Sequence, residues 1–337
     1  MPIAWLVLVC APQLLQDREA AASRAAPPAE RAPTARVELR IEPFVELWFE
    51  VRALAQPGPQ EVPPALARSV QAAKLVQAEL GSGLAFGVIE GLFDAHPTGA
   101  KMRAAIAELP ERTSLGGREV AVRDCALALA DALIAAEPAW RDQIWPARAT
   151  ALVRTQRELE AALLSKQDEL YAFHTRSLGI DVHDLVIPVY LVTSVPTPGA
   201  ITHRGTNGGV CFVTAHEGGG SELVETVVHE STHALDIAWD GDVFDQLREK
   251  LAARGLARTD KLYRDIPHTL MFVQSAQSVR RVLAPEHVDY GVQAKYYDKV
   301  RAVADAELRI WPQVLDGKLA LDAALDALCA ELVPAAK

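Results

Sequence analysis

Apolar residues follow a helical rhythm through much of the first half of the chain. Between residues 65 and 178 they recur at intervals such as four and seven, as at Leu159, Leu163 and Leu170. This spacing places them on one face of a helix, so a layer of about five helices is predicted here. Residues 37–54 mix alternation with helix-like spacing. They predict either a strand followed by a helix or a single helix with an irregular start.

The pattern changes after residue 180. Residues 185–195 and 209–215 are short runs rich in β-branched and aromatic side chains, separated by a segment rich in Pro and Gly, and are predicted to be paired strands. Pro188 indicates that the first strand starts late or lies at an edge. After three glycines, Ser221 is the predicted N-cap of a helix that runs to about Trp239. Further helices are predicted over 243–254, 266–283, 296–310 and 319–332. The fold class is therefore predicted to be α+β.

The N-terminus carries a short apolar run at residues 3–11. It is shorter than the ~20 apolar residues that span a bilayer, so no integral membrane segment is predicted. We interpret residues 1–22 as a signal peptide and the Ala- and Pro-rich residues 23–36 as a flexible linker, which predicts a secreted or periplasmic protein. Against export, no Lys or Arg precedes the apolar run. Lipid anchoring at Cys10 is not predicted, because Val9 is bulkier than the residues that precede a lipidated cysteine.

Composition narrows the class of protein further. The chain has 337 residues, half of them hydrophobic, which is enough for one large domain or two ordinary ones. We predict a mostly helical N-terminal region at 37–180 and a second region at 181–337, which contains the predicted strands and the motif that suggests catalysis, His229, Glu230 and His233. The 44 acidic against 34 basic side chains give a net charge of −10. Nucleic acid is therefore not a predicted partner, since binding its backbone requires Lys and Arg.

One motif carries recognisable chemistry. His229 and His233 are four residues apart, so on a helix their imidazoles share one face and can bind a single Zn²⁺. Glu230 lies beside them as a general base for a metal-activated water. The alternative is an ordinary solvated helix face. Such a face would more often carry Lys or Arg, and this helix has none from Glu222 to Asp240.

With this motif, residues 185–283 resemble the zincin metallopeptidases. The resemblance implies a zincin-like catalytic unit, a Zn²⁺ cofactor, peptide or protein substrates, and an edge strand that pairs with extended substrate. The strand in the corresponding position contains Gly209, Val210, Cys211 and Phe212, which are therefore the predicted substrate strand. Asp236 and Trp239 occupy the positions where metzincins have Gly and His. A gluzincin-like site, with its third ligand on a later helix, is the arrangement that remains.

The third ligand is predicted from the helix at 266–283. This segment contains no Asp or Glu, and its one strong zinc donor is His268. Pro267 before it suits a first helical turn. A core histidine is the alternative interpretation, and Asp265, Glu286 and Asp289 are the alternative ligands near the helix ends.

Five further residues are candidates for supporting roles. Asp236 follows His233 by three positions and is predicted either to orient an imidazole or to begin a solvated helix end. Tyr290 is a candidate hydrogen-bond donor to the developing oxyanion, as are Tyr296, Tyr297 and His287. The sequence thus predicts zinc-dependent peptide hydrolysis. The alternatives are a catalytically silent zincin-like binding or structural protein and a zinc hydrolase of a non-peptide amide.

Overall fold

A computed structural model describes residues 35–80, 84–115, 118–182, 184–195, 199–206, 208–216 and 218–333. The predicted signal peptide, Cys10 and most of the predicted linker lie outside these residues. The end of that linker does not: Ala35 and Arg36 belong to strand β1, Ala35–Arg40. Helix α1, Pro43–Ala55, follows with proline in its first turn, where the missing N–H costs no hydrogen bond. A strand followed by a helix is therefore the correct one of the two interpretations of this segment.

The helical region that follows contains six further α-helices in its described part. Pro146 lies in the first turn of one of them, whereas Pro138 lies inside another, which continues beyond it. A small antiparallel pair of strands interrupts the helices. In chain order the elements are α2 (Ala67–Leu80), α3 (Leu84–Glu90), α4 (Gly99–Ala107), β2 (Thr113–Leu115), β3 (Arg118–Val120), α5 (Val122–Gln143), α6 (Trp145–Leu163) and α7 (Gln167–Ser177).

A mixed sheet combines β1 with three later strands. These are β4 (Leu185–Val192), β5 (Ala200–Arg204) and β6 (Gly209–Thr214), and the order across the sheet is β1-β4-β6-β5. The β1/β4 and β4/β6 pairs are parallel, and β5 is antiparallel to β6. The predicted pairing of the two strands that became β4 and β6 is confirmed. β5 was not predicted, because it lies in the segment rich in Pro and Gly.

The predicted position of the substrate strand is wrong. β6, which contains Gly209, Val210, Cys211 and Phe212, lies in the interior of the sheet: its Cys211–Thr214 part pairs with β4, and all of Gly209–Val213 faces β5. The main chain of β6 is therefore already paired with neighbouring strands of the same sheet. β5 is the edge strand instead. Pro188 does not mark an edge strand, because β4 lies between β1 and β6. Pro188 comes just before the part of β4 that pairs with β6, which begins at Val189.

Helices make up the C-terminal part after the sheet. The first begins at Gly220 with Gly219 as its N-cap, so Ser221 is not the cap residue. Pro267 lies well inside its helix and not in the first turn. In chain order the helices are α8 (Gly220–Ala238), α9 (Val243–Ala253), α10 (Lys261–Val282), α11 (Tyr290–Gln293), α12 (Tyr296–Lys299), α13 (Arg301–Leu315) and α14 (Leu321–Leu332).

Both faces of the sheet are buried. Val189 and Leu191 of β4 pack into a core with the C-terminal helices, α6 and α7, while Tyr190 and Val192 pack into a second core with α1 to α5. Successive strand residues point to opposite faces, so a strand covered on both sides is apolar throughout. The predicted regions 37–180 and 181–337 share this sheet, because β1 pairs with β4.

The architecture is thus a mixed sheet covered by helices on both faces, which is compatible with the predicted α+β class. Within the ranges that the structure describes, no helix is long and apolar enough to cross a membrane.

Candidate metal centre

Helix α8 carries the central motif and lies directly on the sheet. It packs against β6 and β5, and Gly209 allows the close approach. A Cβ atom on Gly209 would lie 2.4 Å from the Cα atom of Ala234, so any side chain there would force α8 away from β6. The two neighbouring turns of α8 that contain His229 and His233 therefore pack against β6 and the edge strand β5.

Three imidazoles converge at this position. The ring centroids of His229 and His233 are 4.9 Å apart, and that of His268, on α10, lies 5.3 Å from each. Each residue offers a nitrogen that lies within 4.8 Å of those of the other two. Three protein ligands with one open position are the arrangement of a catalytic zinc site. The structure thus brings the predicted third ligand together with the two motif histidines.

The remaining ring nitrogens have different surroundings. His268 Nδ1 lies 3.2 Å from the hydroxyl oxygen of Tyr296, so Nε2 is the ring nitrogen of His268 that this contact leaves available. His229 Nδ1 is buried and has no hydrogen-bond partner among the described residues. A buried polar atom without a partner is costly in a protein that binds nothing at that atom.

Burial keeps these imidazoles neutral. It lowers the pKa of His233 to about 4 and that of His268 to about 3. The pKa of His229 is also well below its usual value, through burial first and then through the neighbouring His233 and His268. Only the neutral imidazole binds a metal ion, so all three side chains are in the binding form at neutral pH.

Glu230 lies on the same helix with only 5% of its surface exposed. Burial raises the pKa of its carboxyl group to about 7, and a hydrogen bond from Thr202 opposes this change. The Thr202 hydroxyl donates to Oε2 of Glu230 over 2.6 Å. A carboxylate whose pKa lies near the working pH is suited to accept and return a proton.

Aromatic rings line one side of the three histidines. Phe272 of α10 stacks on His229, with a centroid distance of 3.9 Å and an interplanar angle of 24°. Tyr296 and Tyr290 pack in turn on Phe272, at 4.5 Å and 6.1 Å. Tyr290, the predicted oxyanion donor, therefore contacts Phe272, and Phe272 in turn contacts His229. Its backbone N–H donates to Glu225 over 2.7 Å.

Both ring nitrogens of His287, another candidate oxyanion donor, contact protein side chains. Its Nε2 lies 2.6 Å from the buried carboxylate of Glu225, and its Nδ1 lies 2.8 Å from the Ser221 hydroxyl. Glu225 is one helical turn before His229 on α8. The network thus joins the segment before α11 to the start of the motif helix.

Asp236 does not orient an imidazole. Both of its carboxylate oxygens bind the guanidinium group of Arg248, at 2.8 Å and 2.6 Å. Asp242 and Asp245 lie close to it, and Arg248 also contacts Asp245. A bidentate arginine is a strong partner for a carboxylate, so of the two predicted roles for Asp236 the one in which it orients an imidazole is corrected.

Three contacts of the site were not anticipated. Thr202 lies on the unpredicted strand β5, Tyr296 contacts His268, and Phe272 stacks on a histidine. For Phe272 a sequence signal existed, because it is four residues after His268 and therefore on the same helix face. For Thr202 none existed, since a five-residue strand between glycines and prolines has no distinctive pattern.

The comparisons with known proteins assign no relative to this chain. No protein-family model matches it, and neither the curated proteins nor the solved structures contain a significant match.

Proposed function

We propose that this protein is a zinc-dependent peptidase. The observation that carries the proposal is the convergence of three neutral imidazoles, from His229, His233 and His268, beside the buried carboxylate of Glu230. The donor set suits the ion: imidazole is a common zinc ligand, and three such ligands leave a position open for water. The unpartnered Nδ1 of His229 is consistent with a ligand at this site.

The chain's own groups have distinct roles in this proposal. His229, His233 and His268 would hold the ion, and the hydroxyl of Tyr296, 3.2 Å from Nδ1 of His268, would orient that imidazole. Zinc bound there would polarise the scissile carbonyl and lower the pKa of a water molecule. Glu230 would take up a proton from the water that attacks the carbonyl carbon, and would return it to the amine nitrogen when the C–N bond breaks.

The position of β5 at the edge of the sheet, beside Glu230, favours a peptide over other amides. β5 pairs with β6 on one side, and no other described strand pairs with its second side. Such an edge binds an extended peptide by main-chain hydrogen bonds. The substrate strand is therefore reassigned from β6 to β5, whose residue Thr202 contacts Glu230 directly.

The test is the substitution Glu230→Gln. The variant keeps the shape of the side chain but cannot accept a proton, so cleavage of a fluorogenic peptide library is expected to fall by ~10²- to 10⁴-fold. Zinc content, measured by atomic emission, stays at the parent's value because Glu230 is not a ligand. Glu249→Gln on the exposed side of α9 is the matched control. Equal turnover in parent and Glu230→Gln would exclude the proposed base, and a parent that binds zinc but cleaves no peptide would favour a silent binding protein.

A further inference from the structure

Thr202 connects the edge strand to the general base. Its hydroxyl oxygen lies 2.6 Å from Oε2 of Glu230, 3.0 Å from the carbonyl oxygen of the same residue and 3.4 Å from the Cys211 sulfur. A threonine hydroxyl has one hydrogen, and a charge-assisted bond to a carboxylate is stronger than one to a carbonyl. The shortest contact is therefore the one in which Thr202 donates when Glu230 is ionised.

Strand geometry makes this contact specific to Thr202. Side chains alternate between the two faces of a strand. Ile201 packs into the core on the opposite face, and His203 there reaches the carboxylate of Glu90, with Nε2 2.9 Å from Oε2. Of the three central residues of β5, only Thr202 faces helix α8.

The Glu230 carboxylate has no second hydrogen-bond donor among the described residues. Among the described residues, Thr202 is the one hydrogen-bond donor to it, and that bond uses Oε2. The other oxygen, Oε1, accepts no hydrogen bond from any of these residues, so it is available to receive a proton. A carboxylate held at one oxygen and free at the other has a defined direction for proton transfer, and correct orientation is a large part of catalysis.

We propose that Thr202 is a positioning residue, which holds Glu230 in the orientation for proton transfer and ties that orientation to the main chain of β5. This inference rests on the proposed peptidase function and extends it. Because β5 is the strand on which the extended substrate pairs, the same five-residue segment binds the peptide and aligns the base. Substrate binding and base alignment are then properties of one element.

The kinetic test compares Thr202→Val with Thr202→Ser. Valine keeps the branched shape and removes the hydroxyl, so kcat is expected to fall by about 10- to 100-fold, the scale of a small misplacement of a catalytic group. KM stays within about threefold, because the main chain that pairs with the peptide is unchanged. Serine restores the hydroxyl and most of kcat. Zinc content is equal in all three proteins.

A second readout does not require activity. In zinc-free protein, Thr202→Val is expected to lower the thermal unfolding midpoint more in the parent than in a Glu230→Ala background, because only the parent has the carboxylate contact. Thr226→Val is the matched control: the Thr226 hydroxyl bonds the Glu222 carbonyl within α8, so its effect is the same in both backgrounds.

The kinetic and the thermal measurements together distinguish the peptidase function from the positioning role of Thr202. A parent that cleaves no peptide contradicts the peptidase function, and the midpoints alone then decide whether Thr202 holds Glu230. Equal midpoint shifts in both backgrounds, an active Thr202→Val variant with the parent's kcat, or a serine variant as slow as the valine variant would each overturn the positioning role.

Discussion

Burial sets the protonation state of the three imidazoles. The largest cause of the lowered pKa of His229, His233 and His268 is removal from water, ahead of the effect of neighbouring charges. A neutral imidazole releases no proton when it binds a cation. Metal binding therefore needs no deprotonation of these side chains near neutral pH, and the site is expected to bind metal over a wide range of pH.

His268 is the residue that distinguishes a three-ligand centre from a pair of helix histidines. The substitution His268→Ala is expected to lower zinc affinity by more than the ~10- to 100-fold that loss of an outer partner costs, since a direct ligand is removed. Competition with a chromophoric chelator measures the affinity, and circular dichroism checks the fold. His96→Ala, outside the cluster, is the control. Parent-like affinity in His268→Ala would make His268 a core residue only.

At the scale of elements, the site depends on the contact between β6 and α8. Gly209 begins β6 and lies against the backbone of α8 at Ala234, one residue beyond His233. A glycine allows two backbones to approach more closely than any other residue. The position of two histidines relative to the edge strand is therefore set by a residue that has no chemistry of its own.

Gly209→Ala tests this contact. The added methyl group would lie 2.4 Å from the Ala234 Cα atom, and relief requires a backbone shift, so a loss of about 3 kcal/mol in the free energy of unfolding is expected. Urea denaturation measures it. Gly58→Ala is the control, because nothing lies within 4 Å of its added carbon. Similar stability in the two variants would show that β6 and α8 separate without cost.

At the scale of the whole molecule, one buried histidine joins three helices behind the site. His174 of α7 is fully buried, with Nδ1 2.8 Å from the Ser278 hydroxyl on α10 and Nε2 2.9 Å from the Thr232 hydroxyl on α8. Burial lowers the pKa of His174 to about 3. The neutral form is thus the one that the folded protein accommodates, and protonation opposes folding.

His174 makes stability depend on pH with a definite sign. Its pKa is about 3 when folded and ~6.5 when unfolded. Its contribution is therefore complete above pH 6.5 and is lost as pH falls from there towards 3, by ~1.4 kcal/mol per pH unit. His174→Gln lacks this titration, so the stability difference between parent and variant should shrink at that rate below about pH 6. Chemical denaturation of zinc-free protein from pH 7.5 to 5 measures it, and parallel curves would contradict the assignment.

Local chemistry and local periodicity were determined by the sequence alone. The four-residue spacing of His229 and His233 places both on one face of α8 wherever that helix packs, and the apolar runs of β4 and β6 require burial on both faces. His268 was also within reach of the sequence, because α10 offers no carboxylate between 266 and 283. Each of these inferences uses residues that lie within a few turns of one element.

The tertiary structure alone decided which strand lies at the edge and which partner each side chain meets. β5 occupies the edge, so Thr202 reaches Glu230. Arg248 of α9 forms a salt bridge with Asp236, and the hydroxyl of Tyr296 contacts His268. These contacts join different elements, and a strand of five residues such as β5 depends for its stability on its neighbours, β6 and α8 among them. Local propensity is too weak to specify such pairings, because their free energy arises from burial and hydrogen bonds that exist only after the chain has folded.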